Sequence, residues 1–218
     1  MAEARQAASN TVRRGDAADV GGAADESAAL AKANWERADA RIKEWASSRE
    51  PITVERIKEL NAMLGEGLRH NDGTPGKIRT TENVGTRSRH NPKVFNPYLP
   101  GRDVPEAMAE FVSWYRDAEQ KMRAPELGAL AYQRLVSIHP FTDANGRTCR
   151  MVMDWILRRN GLPPAVLGGK DVAVAVFGDD HRMGRGSVAP EFALEAVTRG
   201  IERALDHMIS ALKPGGGK

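Results

Sequence analysis

Two apolar helical stretches with a polar loop between them constrain this chain more than any other feature. Leu127, Leu130, Ala131, Leu135 and Ile138 recur at three- and four-residue spacing and lead up to His139. After the loop, Met151-Val152-Met153-Asp154-Trp155-Ile156-Leu157 reads as part of a helix from Arg147 to Asn160, stopped by Asn160-Gly161 and Pro163. Between them stands His139-Pro140-Phe141-Thr142-Asp143-Ala144-Asn145-Gly146-Arg147-Thr148-Cys149-Arg150. A base, a carboxylate, an amide, a flexible glycine and two guanidiniums thus meet at the positive N-terminal end of a helix. Backbone N–H groups there favour an anion, and this is the chemistry of a nucleotide-phosphate site.

The rest of the chain supplies more helices. Residues 1–26 are rich in Ala, Gly, Asp and Ser and read as a flexible tail, because they carry too little apolar surface to offset the entropy of ordering. Ser27 can cap a helix with Ala31, Trp35, Ala38, Ile42 and Trp45 on one face, an N-terminal extension over 27–52 interrupted at Pro51. Thr53 caps a second, with Ile57, Leu60 and Leu64 inward. From Asn71 to Gly101 the signals turn to Gly, Pro, Asn and Thr. Lys77-Ile78-Arg79-Thr80 and Lys93-Val94-Phe95 are extended candidates there, and a small hairpin flap over about 77–95 fits.

Asp103 caps a helix that has Pro105 in its first turn and Met108, Phe111, Val112 and Tyr115 inward. Pro125-Glu126 opens the helix that ends at His139. Residues 171–177 are ambiguous between strand and helix, and 178–186 form a glycine-rich loop. A last helix from Pro190 shows Leu194, Val197, Ile201, Leu205, Met208 and Leu212 as one stripe, and 213–218 should fray. The fold class is mainly all-α: a helical bundle with one small β-hairpin, its main domain over 53–212.

Composition excludes several functions. At 218 residues and 41% hydrophobic the chain can bury a core, and no apolar run approaches the roughly 20 residues that span a bilayer. No signal-peptide block stands at the start, so the expected location is the cytoplasm, or a host cell reached as a secreted effector. Cys149 is the only cysteine, which rules out internal disulfides and multi-cysteine metal sites, and it reads as a small space-filler beside the motif. With net charge +3 and the signs interleaved, nucleic acid is not an expected partner. Arg79, Arg87, Arg89, Lys93 and Arg102 do cluster, which suits a solvated surface as well as a partner site. His70, His90, His181 and His207 lack metal-ligand spacing and read as solvated, with His90 on the flap.

Held at the end of one helix, His139 can take a proton from an attacking hydroxyl while the next helix start cradles phosphates. Asp143 is a hard oxygen ligand suited to Mg²⁺, Gly146 admits close approach of an anion, and Arg147 and Arg150 can both face it.

These residues resemble the Fic domain signature His-Pro-Phe-x-Asp/Glu-Gly-Asn-Gly-Arg-x-x-Arg. Every defined position agrees except Ala144, where the family usually has Gly. Gly76-Lys77-Ile78-Arg79, the hairpin after it, and Val104-Pro105 with its helix and Trp114 are similar to the usual Fic core as well.

The resemblance implies a protein adenylyltransferase that moves AMP from Mg-ATP to a Tyr, Thr or Ser hydroxyl and releases pyrophosphate. It makes His139 the general base and Asp143 the Mg²⁺ ligand. The nucleotide falls to Asn145 and Gly146 at the α-phosphate, Arg147 at the β-phosphate, Arg150 at the γ-phosphate, and Ala144 in the loop. Phe141 becomes the apolar anchor, and the flap aligns a target protein by strand-like pairing. Ala144 leaves other donors open, UTP, GTP or CDP-choline, while Gly146 argues against phosphorylation; an inactive nucleotide- or partner-binding module is the alternative of another class. Many Fic enzymes are restrained by an inhibitory glutamate or by a partner protein. Ser187…Glu191 and Thr198…Glu202 are the only candidates here, and Glu202 is preferred.

Overall fold

The computed structural model describes residues 21–68, 74–82, 84–87, 95–168 and 190–212. Among the described residues six helices form the bundle: α1 (Gly21–Ser47), α2 (Val54–Gly65), α3 (Val104–Ala118), α4 (Ala124–Ile138), α5 (Asn145–Arg159) and α6 (Pro190–Leu212). The mainly helical class read from periodicity is the class observed.

At the centre lies α5. Every residue from Arg147 to Leu157 is buried, the charged Arg147, Arg150 and Asp154 included, so neighbouring elements surround this helix on all sides. Helices α1, α2 and α4 pack around it, and α3 and α6 each pack against α4. Trp45 of α1 meets Trp155 of α5 with ring centroids 4.9 Å apart. The segment 162–168 follows α5 and is sewn to α6: Val166 donates its N–H to the Gly200 carbonyl at 3.0 Å, and Arg203 donates twice to the Val166 carbonyl. The approach at Gly200 is close: a Cβ there would stand 3.0 Å from the Ala165 and Leu167 side chains, which would have to shift to admit it.

Local chemistry decides the helix starts, with two differences from the sequence reading. Thr53 does cap α2, accepting the Arg56 N–H at 3.2 Å. Ser27 is not a cap, because α1 already begins at Gly21. Asp103 makes no side-chain cap bond, because it closes a 3₁₀ turn over Gly101–Asp103 that feeds directly into α3. The turn supplies the entry geometry that a capping carboxylate would otherwise fix.

The hairpin exists but is shifted. Its strands are β1 (Gly85–Arg87) and β2 (Phe95–Pro97), antiparallel, with Gly85 opposite Pro97 and Arg87 opposite Phe95. Residues 77–80 belong to neither strand. Ile78 instead forms a bridge with Phe141, so this stretch pairs with the motif loop. Lys93 and Val94 lie outside the described residues, as do 1–20, the ambiguous segment 171–177, the loop 178–186, and 213–218. The stripe on α6 is buried only in its first half: Leu205, Met208 and Leu212 are 42%, 55% and 81% exposed. No described element covers that end, and none of the described helices is long and apolar enough to cross a membrane.

Candidate functional site

The turn from α4 into the motif loop is made by His139 itself. It adopts the left-handed conformation at φ 51°, ψ 59°, and its N–H still reaches the Leu135 carbonyl at 3.0 Å. Histidine enters that region more readily than most residues, and such local strain is held only where surrounding contacts impose it. Arg79 supplies them. Its buried guanidinium donates to the carbonyls of His139 (2.6 Å), Ile138 (3.2 Å), Thr81 (2.7 Å) and Leu99, and its backbone N–H donates to Pro140 at 3.0 Å. A fixed cation at the negative end of α4 satisfies carbonyls that the helix leaves over. On the imidazole lies Tyr98, its ring parallel within 9° and 3.9 Å away between centroids.

The loop is locked next. Phe141 is buried, and its backbone N–H and carbonyl both bond the Asn145 side chain, at 2.9 and 2.7 Å. The Asn145 amide thereby holds the loop, and what Asn145 presents at the helix start is its backbone N–H. Asn61 of α2 braces the same turn. It donates to the Asp143 carbonyl and to the Thr148 hydroxyl, each at 3.0 Å, and accepts the Gly76 N–H at 2.8 Å. Asp143 is exposed, and its Oδ1 accepts the Ala144 N–H at 2.5 Å.

Ala144 stands at the N-cap of α5 with φ 59°, ψ 12°, again left-handed. That backbone costs an L-residue about 1–2 kcal/mol, which is why glycine suits the position. Ala144 is buried, however, and its methyl contributes about 0.8 kcal/mol, which offsets part of that cost and lets alanine stand here.

The first backbone bond of α5 runs from the Thr148 N–H to the Ala144 carbonyl, so the N–H groups of Asn145, Gly146 and Arg147 are those left over at the positive end of the helix. Gly146 is exposed, and a Cβ built on it meets nothing within 4 Å, leaving the approach open. Arg147 is buried and donates to the Leu64 carbonyl at 3.0 Å; burial lowers its affinity for its proton and Asp143 opposes that. Arg150 is 4% exposed, donates its Nε–H to the Gly146 carbonyl at 3.2 Å, and leaves Nη2 buried without a hydrogen-bond partner among the described residues. Its cation lies 5.7 Å from the Trp35 ring of α1. A cleft of about 400 Å³ beside the loop is lined by Thr74, Lys77, Ile78, Arg79, Thr80, Thr81 and Thr142.

His139, Phe141, Asp143, Ala144, Asn145, Gly146, Arg147 and Arg150 therefore form one locus. Glu202 is not part of it: it is exposed on α6, and no ion pair joins it to Arg150 among the described residues. Glu191 is also exposed, His207 is exposed, and Ser187, His70, His90 and His181 fall outside the described residues. Cys149 is buried, which pushes its thiol far above the reactive range and fits the space-filling reading. Three site residues escaped the sequence reading. Arg79 stands in the stretch similar to the Fic core and in the basic cluster, but neither pattern shows the carbonyls it holds; Asn61 sits unmarked on a helix face, and Tyr98 carries no motif.

Asp143, an exposed carboxylate beside the leftover N–H groups of α5, is an oxygen donor of the kind Mg²⁺ takes. That ion is held through one or two carboxylates together with substrate phosphates.

Comparison with known proteins gives the same grouping. The family model of the Fic/DOC family matches residues 51–157. A uridine 5'-monophosphate transferase of Xanthomonas campestris pv. campestris is 35% identical over 188 residues, 80% of this chain and 33% of that protein. Protein adenylyltransferase fic-1 of Caenorhabditis briggsae is 33% identical over 144 residues, 65% of this chain and 26% of that protein. The chain thus spans about a third or less of the length of these relatives. In fold it is similar to a Fic domain containing signaling protein from Bacteroides thetaiotaomicron, with TM-score 0.65 and 21% identity over 95% of this chain and 79% of that one. Through residues 51–157, with the motif loop and the two helices that bracket it, this chain belongs to the Fic/DOC family.

Proposed function

We propose that the chain transfers a nucleoside monophosphate from a nucleoside triphosphate to a Tyr, Thr or Ser hydroxyl of a target protein. The observation that carries this reading is the placement of His139 across a locked loop from the leftover N–H groups of α5. In the reaction His139 takes the proton of the target hydroxyl, whose oxygen attacks the α-phosphorus. The bond from that phosphorus to the bridging oxygen breaks, and pyrophosphate departs. Asn145 and Gly146 hold the α-phosphate through their backbone N–H groups, Arg147 meets the β-phosphate and Arg150 the γ-phosphate. Asp143 holds Mg²⁺, which supplies charge neutralisation on the phosphates when bound. The target lies along the hairpin.

ATP is the donor that the motif implies. UTP is the second reading, favoured by the similarity to the Xanthomonas uridine 5'-monophosphate transferase over most of this chain. Labelled ATP, UTP, GTP, CTP and CDP-choline, each incubated with the purified protein and a cell lysate beside His139→Ala, decide between them. Label from one nucleoside triphosphate, lost in His139→Ala by about 100-fold or more, is the expected outcome. Label from CDP-choline alone, or no label from any donor, overturns the proposal, and the latter favours a binding module.

A further inference from the structure

We propose that Tyr98 is a positioning residue for His139, setting the plane of the imidazole from the hairpin side. This rests on the reading of His139 as the base. A histidine's second side-chain torsion is broad, so a left-handed backbone and a fixed Cα leave the ring plane undetermined. Something must touch the face of the ring, and Tyr98 does: the two rings are parallel within 9° at 3.9 Å.

Tyr98 is itself held on two sides. Its N–H donates to the Val84 carbonyl at 2.7 Å, continuing the hairpin register one pair beyond Gly85 and Pro97. The next carbonyl, Leu99, is bound by the Arg79 guanidinium, the same group that binds the carbonyls of Ile138 and His139. The two stacked rings are thus referenced to one buried cation, and the ring on the base belongs to the element that receives the target. Tyr98 couples the hairpin to the proton acceptor. A base displaced by a fraction of an ångström loses the near-attack alignment on which transfer depends, without weakening nucleotide binding elsewhere.

The test combines proton NMR with kinetics. In the wild-type protein, ring protons of His139, assigned by their loss in His139→Ala, resonate upfield because they lie over the Tyr98 face. Tyr98→Leu moves them back toward the position of a free histidine. It lowers the maximal rate of transfer from labelled ATP and UTP by about 10- to 100-fold at unchanged nucleotide KM. Tyr98→Phe, which keeps the ring, restores both. Absence of the upfield shift in the wild type overturns the inference even if Tyr98→Leu folds poorly. So does a Tyr98→Leu protein with wild-type turnover, or one whose nucleotide KM rises while the maximal rate holds. If His139→Ala itself transfers at the wild-type rate, the proposed function fails instead; if it is dead while Tyr98→Leu is fully active, only the present inference fails.

Discussion

Gly146 separates what the fold needs from what the reaction needs. It sits in the first turn of α5 with ordinary helical backbone, so glycine is not demanded by conformation, and an added methyl would meet no protein atom within 4 Å. By helix propensity alone, Gly146→Ala adds up to about 1 kcal/mol of stability. The same methyl occupies the opening through which an anion reaches the N–H groups of Asn145, Gly146 and Arg147. Losing one charge-assisted contact there costs about 1.5–3 kcal/mol, or roughly 10- to 100-fold in nucleotide affinity. Gly146→Ala should therefore melt at or above the wild-type temperature while its nucleotide KM rises by that factor. A variant that binds nucleotide normally would show that the phosphates lie elsewhere.

At the scale of elements, what periodicity could reveal it did, and what it missed depended on contacts distant in sequence. The stripes of α2, α3, α4 and α5 were legible because each buries its own apolar face. The motif loop was legible because its residues are contiguous. Arg79 was not, since a charge pattern says nothing about carbonyls brought to it from residues 138 and 139 by the fold. The hairpin was misplaced for a related reason. Lys77-Ile78-Arg79-Thr80 is extended, as its composition suggests, but its pairing partner is Phe141 and no strand of the hairpin. Asp103 looked like a cap because the sequence pattern does not distinguish a side-chain cap from a 3₁₀ turn. The value of Arg79 to the joint of α4, loop and hairpin can be measured. Lysine keeps the charge but lacks the planar fork, so Arg79→Lys strands buried carbonyls at about 1–3 kcal/mol each. With two left unsatisfied, the melting temperature should fall by roughly 5–15 °C, and transfer should fall with it because His139 loses its backbone restraint. Melting within about 2 °C of wild type would mean that the joint is held by the apolar contacts alone.

For the whole molecule, the central helix carries an electrostatic cost that should appear in the pH dependence of folding. Asp154 lies 5% exposed in the middle of α5, where burial pushes its pKa up to about 7 from 3.8. The Ala165 N–H, which it accepts at 3.0 Å, and the Arg158 cation pull the other way, while Asp39 adds to the rise. Below pH 3.8 the group is protonated whether the chain is folded or not. As pH rises above that value the unfolded chain releases the proton and the folded chain keeps it, so stability is lost progressively until about pH 7 and is constant beyond. A rise of this size corresponds to about 4 kcal/mol across the window. Other groups also change protonation across this range, so the wild-type curve alone does not isolate Asp154. Asp154→Asn does. It keeps an oxygen for the Ala165 N–H, and the cost of burying its extra N–H₂ is the same at every pH, cancelling when two pH values are compared. In denaturant unfolding, the stability of Asp154→Asn relative to wild type should rise by about 2–4 kcal/mol between pH 4.5 and pH 8. An unchanged difference would mean that Asp154 ionises inside the folded protein as readily as outside it, and that α5 is buried without this cost.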